Sequence, residues 1–406
     1  MEPTLSDSRP IHGTKNKLGG EPSAEWAALL ECVLPQVDVL RLRELFRRVS
    51  WPALVRLAED HSVIALLAGA VRRVEEVGAA EPSVVPADAA QQIRELHRAQ
   101  VLSTLKMTAE LFRLVDLARG ARLDSVLLKG PTLALRAYGD TGARHYGDLD
   151  FLVRQKDILR ATELMISAGY RPEIPAEAIR AEKIPGQYLF VRTAAPLLIE
   201  FHTERTMRYF PRGLPIEDFF ARRQHVRIDD HEIPALSLED ELVLICIHGA
   251  KHLWERLTLV ADVAGYVSRQ SGLDWERGFA TARSIGAECM LNTGLLLARN
   301  LLETPVPRGI GQRVEADAAA VHLAEQIAGW LPAAGQQLPG LFARALFRMR
   351  MRGSAASGLG YLLRLTFSPT QEDWSGADGR TSGAGFASLR RPMRLAKKYR
   401  SGEKER

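Results

Sequence analysis

Gly147-Asp148-Leu149-Asp150-Phe151-Leu152-Val153 is the stretch on which the fold turns. Acid and apolar residues alternate along it, and residues i and i+2 of a strand share a face. Asp148 and Asp150 therefore present two carboxylates side by side, while Leu149 and Phe151 point into a core. Carboxylates this close repel unless a cation lies between them. Magnesium, which favours carboxylate, phosphate and water oxygens, suits the position. Two such ions about 3.5–4 Å apart clamp both oxygens of an in-line phosphoryl displacement.

Reading outward, Ser125–Leu128 is a short apolar strand that runs into Lys129-Gly130-Pro131 and a helix over Thr132–Tyr138. The glycine-rich turn Gly139-Asp140-Thr141-Gly142 leads to the paired acids. Downstream, a helix over Asp157–Ala168 stops at Gly169. Strands follow at Gln187–Arg192 and Leu197–His202, split by Ala194-Ala195-Pro196, and His225–Ile228 pairs with Glu232–Ala235. In Leu197–His202 the alternation puts Glu200 and His202 on one face and Ile199 and Phe201 on the other. Glu200 is thus the expected third metal-facing carboxylate, whereas Glu204 reads as strand exit. The Gly130 turn suits phosphate binding by helix N-terminal amides, and Lys129 adds a cation.

Helical periodicity flanks this strand-rich unit on both sides. The expected organisation is a disordered leader over 1–24, a helical region over 25–110 and an α/β unit over 111–236. A second helical region over 237–367 follows, then a flexible linker and basic tail over 368–406. Ser237 is the expected N-cap where helix resumes, and one helical stretch is expected from Asp274 to Leu302. The fold class is α+β, a small mixed-sheet domain embedded between helical regions.

Charge is unevenly placed. Residues 390–406 carry eight of the 54 Lys and Arg and two of the 49 Asp and Glu, leaving 46 basic and 47 acidic groups in the rest. The body is near neutral, so the basicity belongs to a tail, the one segment that suggests nucleic acid as a partner. Cys32, Cys246 and Cys289 are odd in number and widely spaced, which argues against a disulfide framework and for a reducing cytoplasm. No apolar run approaches the ~20 residues of a membrane span.

Gly130, the Asp148-Leu149-Asp150 strand and Glu200, in that order, resemble the polymerase-β-type nucleotidyltransferase superfamily. Leu128-Lys129-Gly130, Tyr138-Gly139-Asp140, Arg144 and Ile199-Glu200-Phe201-His202 resemble, more closely, a largely uncharacterised bacterial nucleotidyltransferase family. That family also carries a segment like His248-Gly249-Ala250-Lys251-His252-Leu253-Trp254 with a downstream Leu259-Val260-Ala261-Asp262. The resemblance spans about residues 40–305. It implies transfer of a nucleoside monophosphate from an NTP, with two Mg2+ (Mn2+ as the alternative) on Asp148, Asp150 and Glu200, and pyrophosphate release. Lys129, Gly130, Arg144, His202, His248 and His252 are the expected nucleotide or phosphate contacts. The acceptor stays open among small molecule, peptide and protein. A catalytically silent nucleotide-binding scaffold and an RNA-end-modifying, toxin-like enzyme are the other readings.

Two features depart from simple expectation. Where the superfamily has Gly-Ser or Gly-Gly, this chain has Gly130-Pro131, and proline lacks a phosphate-binding N–H. His248 and His252 share a helix face at a spacing that can ligate zinc, but no third ligand accompanies them. A helix packed over the site, with its histidines near Asp262 or the phosphates, fits better. Arg144 reads as a phosphate ligand or, failing that, a surface salt bridge. Trp254 reads as core.

Overall fold

The protein is described by a computed structural model over residues 23–78, 82–174, 179–180, 186–192, 197–204, 214–333, 341–352, 358 and 360. The expected leader (apart from 23–24), the Ala194-Ala195-Pro196 turn, the linker and the basic tail lie outside the described residues.

Four helices open the described chain: α1 Ala24–Val33, α2 Val39–Phe46, α3 Trp51–Asp60 and α4 Ile64–Val77. Ser23 and Asp38 cap the first two by accepting backbone N–H groups. α5, Ala87–Gly120, is long enough to serve two cores. Its first half buries Ala90 and Ile93 against the opening helices, and its second half buries Met107, Leu111 and Val115 beneath the sheet.

The sheet is built from β1 Val126–Leu127, β2 Asp148–Leu152, β3 Arg171–Pro172, β4 Gln187–Arg192, β5 Leu197–His202, β6 Gln224–Ile228 and β7 His231–Ala235. Their order is β3-β4-β5-β2-β1-β7-β6, with β2–β5 and β1–β7 parallel and the other pairs antiparallel. The two residues of β3 were not anticipated; they pair with Phe190 and Val191 at the sheet edge. α6, Pro131–Tyr138, links β1 to the glycine turn, and α7, Ile158–Ser167, follows β2.

Strand alternation gives the sheet two unlike faces. Leu149, Phe151, Ile199 and Phe201 point to the back, where they pack with α5 and with Ile158, Ala161 and Met165 of α7. Burying an aromatic or aliphatic side chain of this size contributes about 2 kcal/mol, which fixes the strand register and so the facing of the acids. The front face carries Asp148, Asp150, Glu200 and His202.

α8 Ile216–Arg222 precedes β6. The remaining helices are α9 Leu238–Lys251, α10 Leu257–Arg269, α11 Trp275–Ser284, α12 Glu288–Leu302, α13 Arg308–Glu315, α14 Ala318–Trp330 and α15 Leu341–Arg350. Ser237 caps α9 by accepting from Asp240 N at 3.2 Å. The single helix expected over Asp274–Leu302 is two, because the chain turns at Gly286 with φ of 71°. These helices and the opening ones share one hydrophobic core, so the sheet's front is roofed by both helical regions. Trp254, fully buried, packs into notches at Gly249 and Gly294, where an added Cβ would lie 2.6 and 2.9 Å from its ring. Among the described residues, no helix is long and apolar enough to cross a membrane.

Candidate active site

The parallel pairing of β2 with β5 sets Asp150 directly opposite Glu200 and Asp148 opposite Leu198. Both strands alternate with their apolar residues held in the back core, so the acids have one direction available. Asp148, Asp150, Glu200 and His202 line a single cavity of about 530 Å³, within the range typical of small-molecule sites.

Two cations already stand among the acids. The Leu128 amide donates to Asp150 O at 2.9 Å, which brings Lys129 to the β2 edge. Lys129 Nζ lies 2.9 Å from Asp150 Oδ2 and 3.4 Å from Asp148 Oδ1. His202 Nε2 lies 3.0 Å from Asp150 Oδ1 and 3.2 Å from Glu200 Oε2. Gln187 on β4 donates from Nε2 to Glu200 Oε1, a contact the sequence reading missed because it depends on antiparallel register with β5.

The electrostatics follow. Burial alone would raise the Asp150 carboxyl, but Lys129 and then His202 hold it well below the usual range. Partial burial and the Asp150 charge push Asp148 up. Burial works against the His202 cation, yet its bonds to Asp150 and Glu200 outweigh that and raise it to about 9. Lys129 is likewise raised against the effect of burial by Asp150 and Asp148. The site thus sets three carboxylates against the Lys129 ammonium and the His202 ring.

This donor set fits a divalent cation. One oxygen each from Asp150 and Glu200 and a nitrogen of His202, a ligand once that ring has lost its proton, lie within 4.8 Å of one another. Asp148, with a side chain 38% exposed, adds a carboxylate on the same face. Asp150 Oδ2 is buried against the Lys129 ammonium, 2.9 Å away.

The other expected residues divide. His248 and His252, 4.6 Å apart between ring centroids, line the same cavity from α9 and the turn after it. Arg144 lines it too, but is buried, with Nε 3.0 and 2.9 Å from the two Asp262 oxygens. The surface salt-bridge alternative for Arg144 is therefore replaced by a buried pair. Tyr138 also donates to Asp262, at 2.8 Å, so the partners seen for Asp262 are Arg144 and Tyr138 rather than the imidazoles. Gly130 has φ of 90°, a conformation that favours glycine, and caps α6 with Pro131 at its first position. It is buried beside the cavity and is not among the lining residues.

Glu204 leaves the site: its Oε2 accepts from the Gln155 amide at 2.9 Å. The cavity also takes in Ser62, Lys251, Glu255 and Arg256, none of which sequence reasoning singled out as a contact. Their only sequence signal was Lys251, lying between the two histidines.

Residues 47–303 match the family described as an uncharacterised nucleotidyltransferase. No curated protein matches the chain.

Proposed function

The chain belongs to the uncharacterised nucleotidyltransferase family, and on that premise we propose that it moves a nucleoside monophosphate from an NTP to an acceptor. The observation that carries the reading is the facing of Asp148, Asp150 and Glu200 from two parallel strands into one nucleotide-sized cavity. These three carboxylates would hold two magnesium ions, with manganese as the alternative. A bound divalent ion polarises phosphoryl oxygens and stabilises the negative charge that grows on the leaving group.

The chain's own residues hold and orient. The β2 and β5 backbones, locked by the back core, keep the carboxylates within the narrow tolerance an in-line displacement allows. Lys129 and His202 keep Asp150 ionised, and Glu200 is held by His202 on one side and by Gln187 on the other. In the reaction an acceptor oxygen or nitrogen bonds to the α-phosphorus and the α–β bridging bond breaks. Pyrophosphate departs with the electron pair, and the acceptor's proton passes to solvent. The acceptor is a small molecule, peptide or protein.

The test is incorporation of label from α-labelled NTPs, with magnesium, into material of a source lysate. Asp150→Asn should abolish it while melting stays cooperative. Undiminished labelling by that variant would refute the assignment.

A further inference from the structure

The carboxylate floor leaves unexplained how the cavity holds the rest of a triphosphate. Lys129, Arg144, Lys251 and Arg256 are the Lys and Arg side chains lining it among the described residues. Lys129 is engaged by Asp148 and Asp150, the Nε of Arg144 by Asp262 and the Nη1 of Arg256 by Ser62, and Lys251 is not free of partners either. Gly130 itself is not among the lining residues and Pro131 has no N–H to offer, while Lys129 and Leu133 on either side do line the cavity. The amide cradle expected at the start of α6 therefore lacks one donor, at Pro131.

Another stretch of the cavity lining carries cationic side chains. α9 ends at Lys251, and the chain reverses through Leu253 and Trp254, consecutive left-handed residues with φ of 57° and 52°. Bulky residues seldom adopt this conformation, and here Trp254 is pinned in its two glycine notches. The turn sets His252, Glu255 and Arg256 on the cavity wall beside His248 and Lys251. Arg256 is steadied from the opening helical region, donating from Nη1 to Ser62 Oγ at 3.3 Å. The preceding residue, His61, holds the start of α10: its Nδ1 accepts from Leu257 N at 3.0 Å and its carbonyl from Thr258 N at 3.2 Å.

The local field is positive. Burial first, then Lys251 and Lys129, depress the His252 imidazole to about 3. Burial, then Lys129, keeps His248 well below its usual range. The C-terminus of α9 and the N-terminus of α10 meet at this turn, so their partial charges of about half a unit, opposite in sign, largely cancel. The side chains decide, with Glu255 as the opposing charge.

Resting on the nucleotidyltransferase reading, we propose that His248, Lys251, His252 and Arg256 form the subsite for the β- and γ-phosphates of the NTP, in the cavity that the carboxylates also line. Lys251 and Arg256 supply charge, and the neutral imidazoles supply ring N–H donors. Phosphate held there projects its α-phosphorus towards Asp148 and Asp150. The pyrophosphate product occupies the same subsite.

Calorimetric titration with inorganic pyrophosphate tests this without turnover. Lys251→Gln and Arg256→Gln should each weaken binding about tenfold, the worth of a charge-assisted contact. Glu255→Gln should tighten it, a gain that damage to the turn would not produce. Melting curves and near-UV circular dichroism report that each variant is folded. Unchanged affinity in both folded cation variants overturns the subsite, and if Asp150→Asn has still lost transfer, the nucleotidyltransferase reading survives it. A wild-type protein that binds neither pyrophosphate nor any NTP overturns both.

Discussion

The carboxylate floor of the cavity and the wall around the Leu253–Trp254 turn are built on opposite plans. The floor is two adjacent strands whose side chains are aimed by a period of two, with a continuous apolar back face behind them. The wall is a helix end, a left-handed turn and a helix start, fixed by contacts from residues far away in sequence. The floor concentrates negative charge and the wall positive charge. A strand pair gives rigid placement from short-range rules, whereas a turn of this kind exists only once the surrounding helices have closed on it.

The largest expected effect lies on the floor. Asp150→Asn removes the most buried carboxylate of the cluster and the partner of both Lys129 and His202. Transfer should fall at least about a hundredfold, since bound-metal stabilisation is worth several kcal/mol. Steady-state rates at saturating magnesium measure this. A loss under fivefold would mean that the floor is scaffold and would erase the contrast with the wall.

Next comes the wall's architecture. A Cβ added at Gly294 would lie 2.6 Å from Cys246 Sγ and 2.9 Å from Trp254 Cη2. Gly294→Ala should therefore destabilise the protein by about 2 kcal/mol, in the range found for overpacked cores. It should also weaken pyrophosphate binding, because Trp254 anchors the turn. A denaturation midpoint within error of wild type would show that this notch has slack and that the turn is held by something else.

The same contrast explains what the sequence made legible. Asp148, Asp150, Glu200 and His202 were assigned to one face because strand alternation is a local property, and the structure puts them there. Gln187 escaped notice because its bond to Glu200 needs the β4–β5 register. The buried Arg144–Asp262 pair was not legible because the two residues are remote in sequence and meet only when α10 packs beside α6. Gly130 was legible as a turn, and its φ of 90° bears that out. The break at Gly286 was hidden by apolar spacing that continues across it.

Within the floor, Glu200 and Glu204 offer a finer comparison. A straight β5 would carry both to one face, yet Glu200 stays opposite Asp150 while Glu204 accepts from the Gln155 amide. Glu200→Gln should cost at least tenfold more rate than Glu204→Gln, about 1.4 kcal/mol of barrier. Equal losses would mean that position on the strand does not decide which acid serves the reaction.

The smallest effect probes how the wall is tied to the opening helices. His61 is fully buried beside the Trp26 ring, its Nδ1 accepting from Leu257 N. The ring must be neutral to accept, and burial, then Arg256, lowers it to about 4. An unfolded histidine titrates near 6.5, so the unfolded chain takes up this proton first as the solution is acidified. The stability contributed by neutral His61 is complete above about 6.5, declines as pH falls, and is lost below about 4. Its slope is limited to about 1.4 kcal/mol per pH unit for one proton. Gln at this position keeps an acceptor and cannot titrate, so His61→Gln should start less stable and lose stability less steeply between pH 6.5 and 5. His248 and His252 add to the slope of both proteins, so the difference between them isolates His61. Parallel slopes in urea denaturation would mean that the ring can be protonated in place. The start of α10 would then not depend on an acceptor almost two hundred residues away, and the wall would prove as locally determined as the floor.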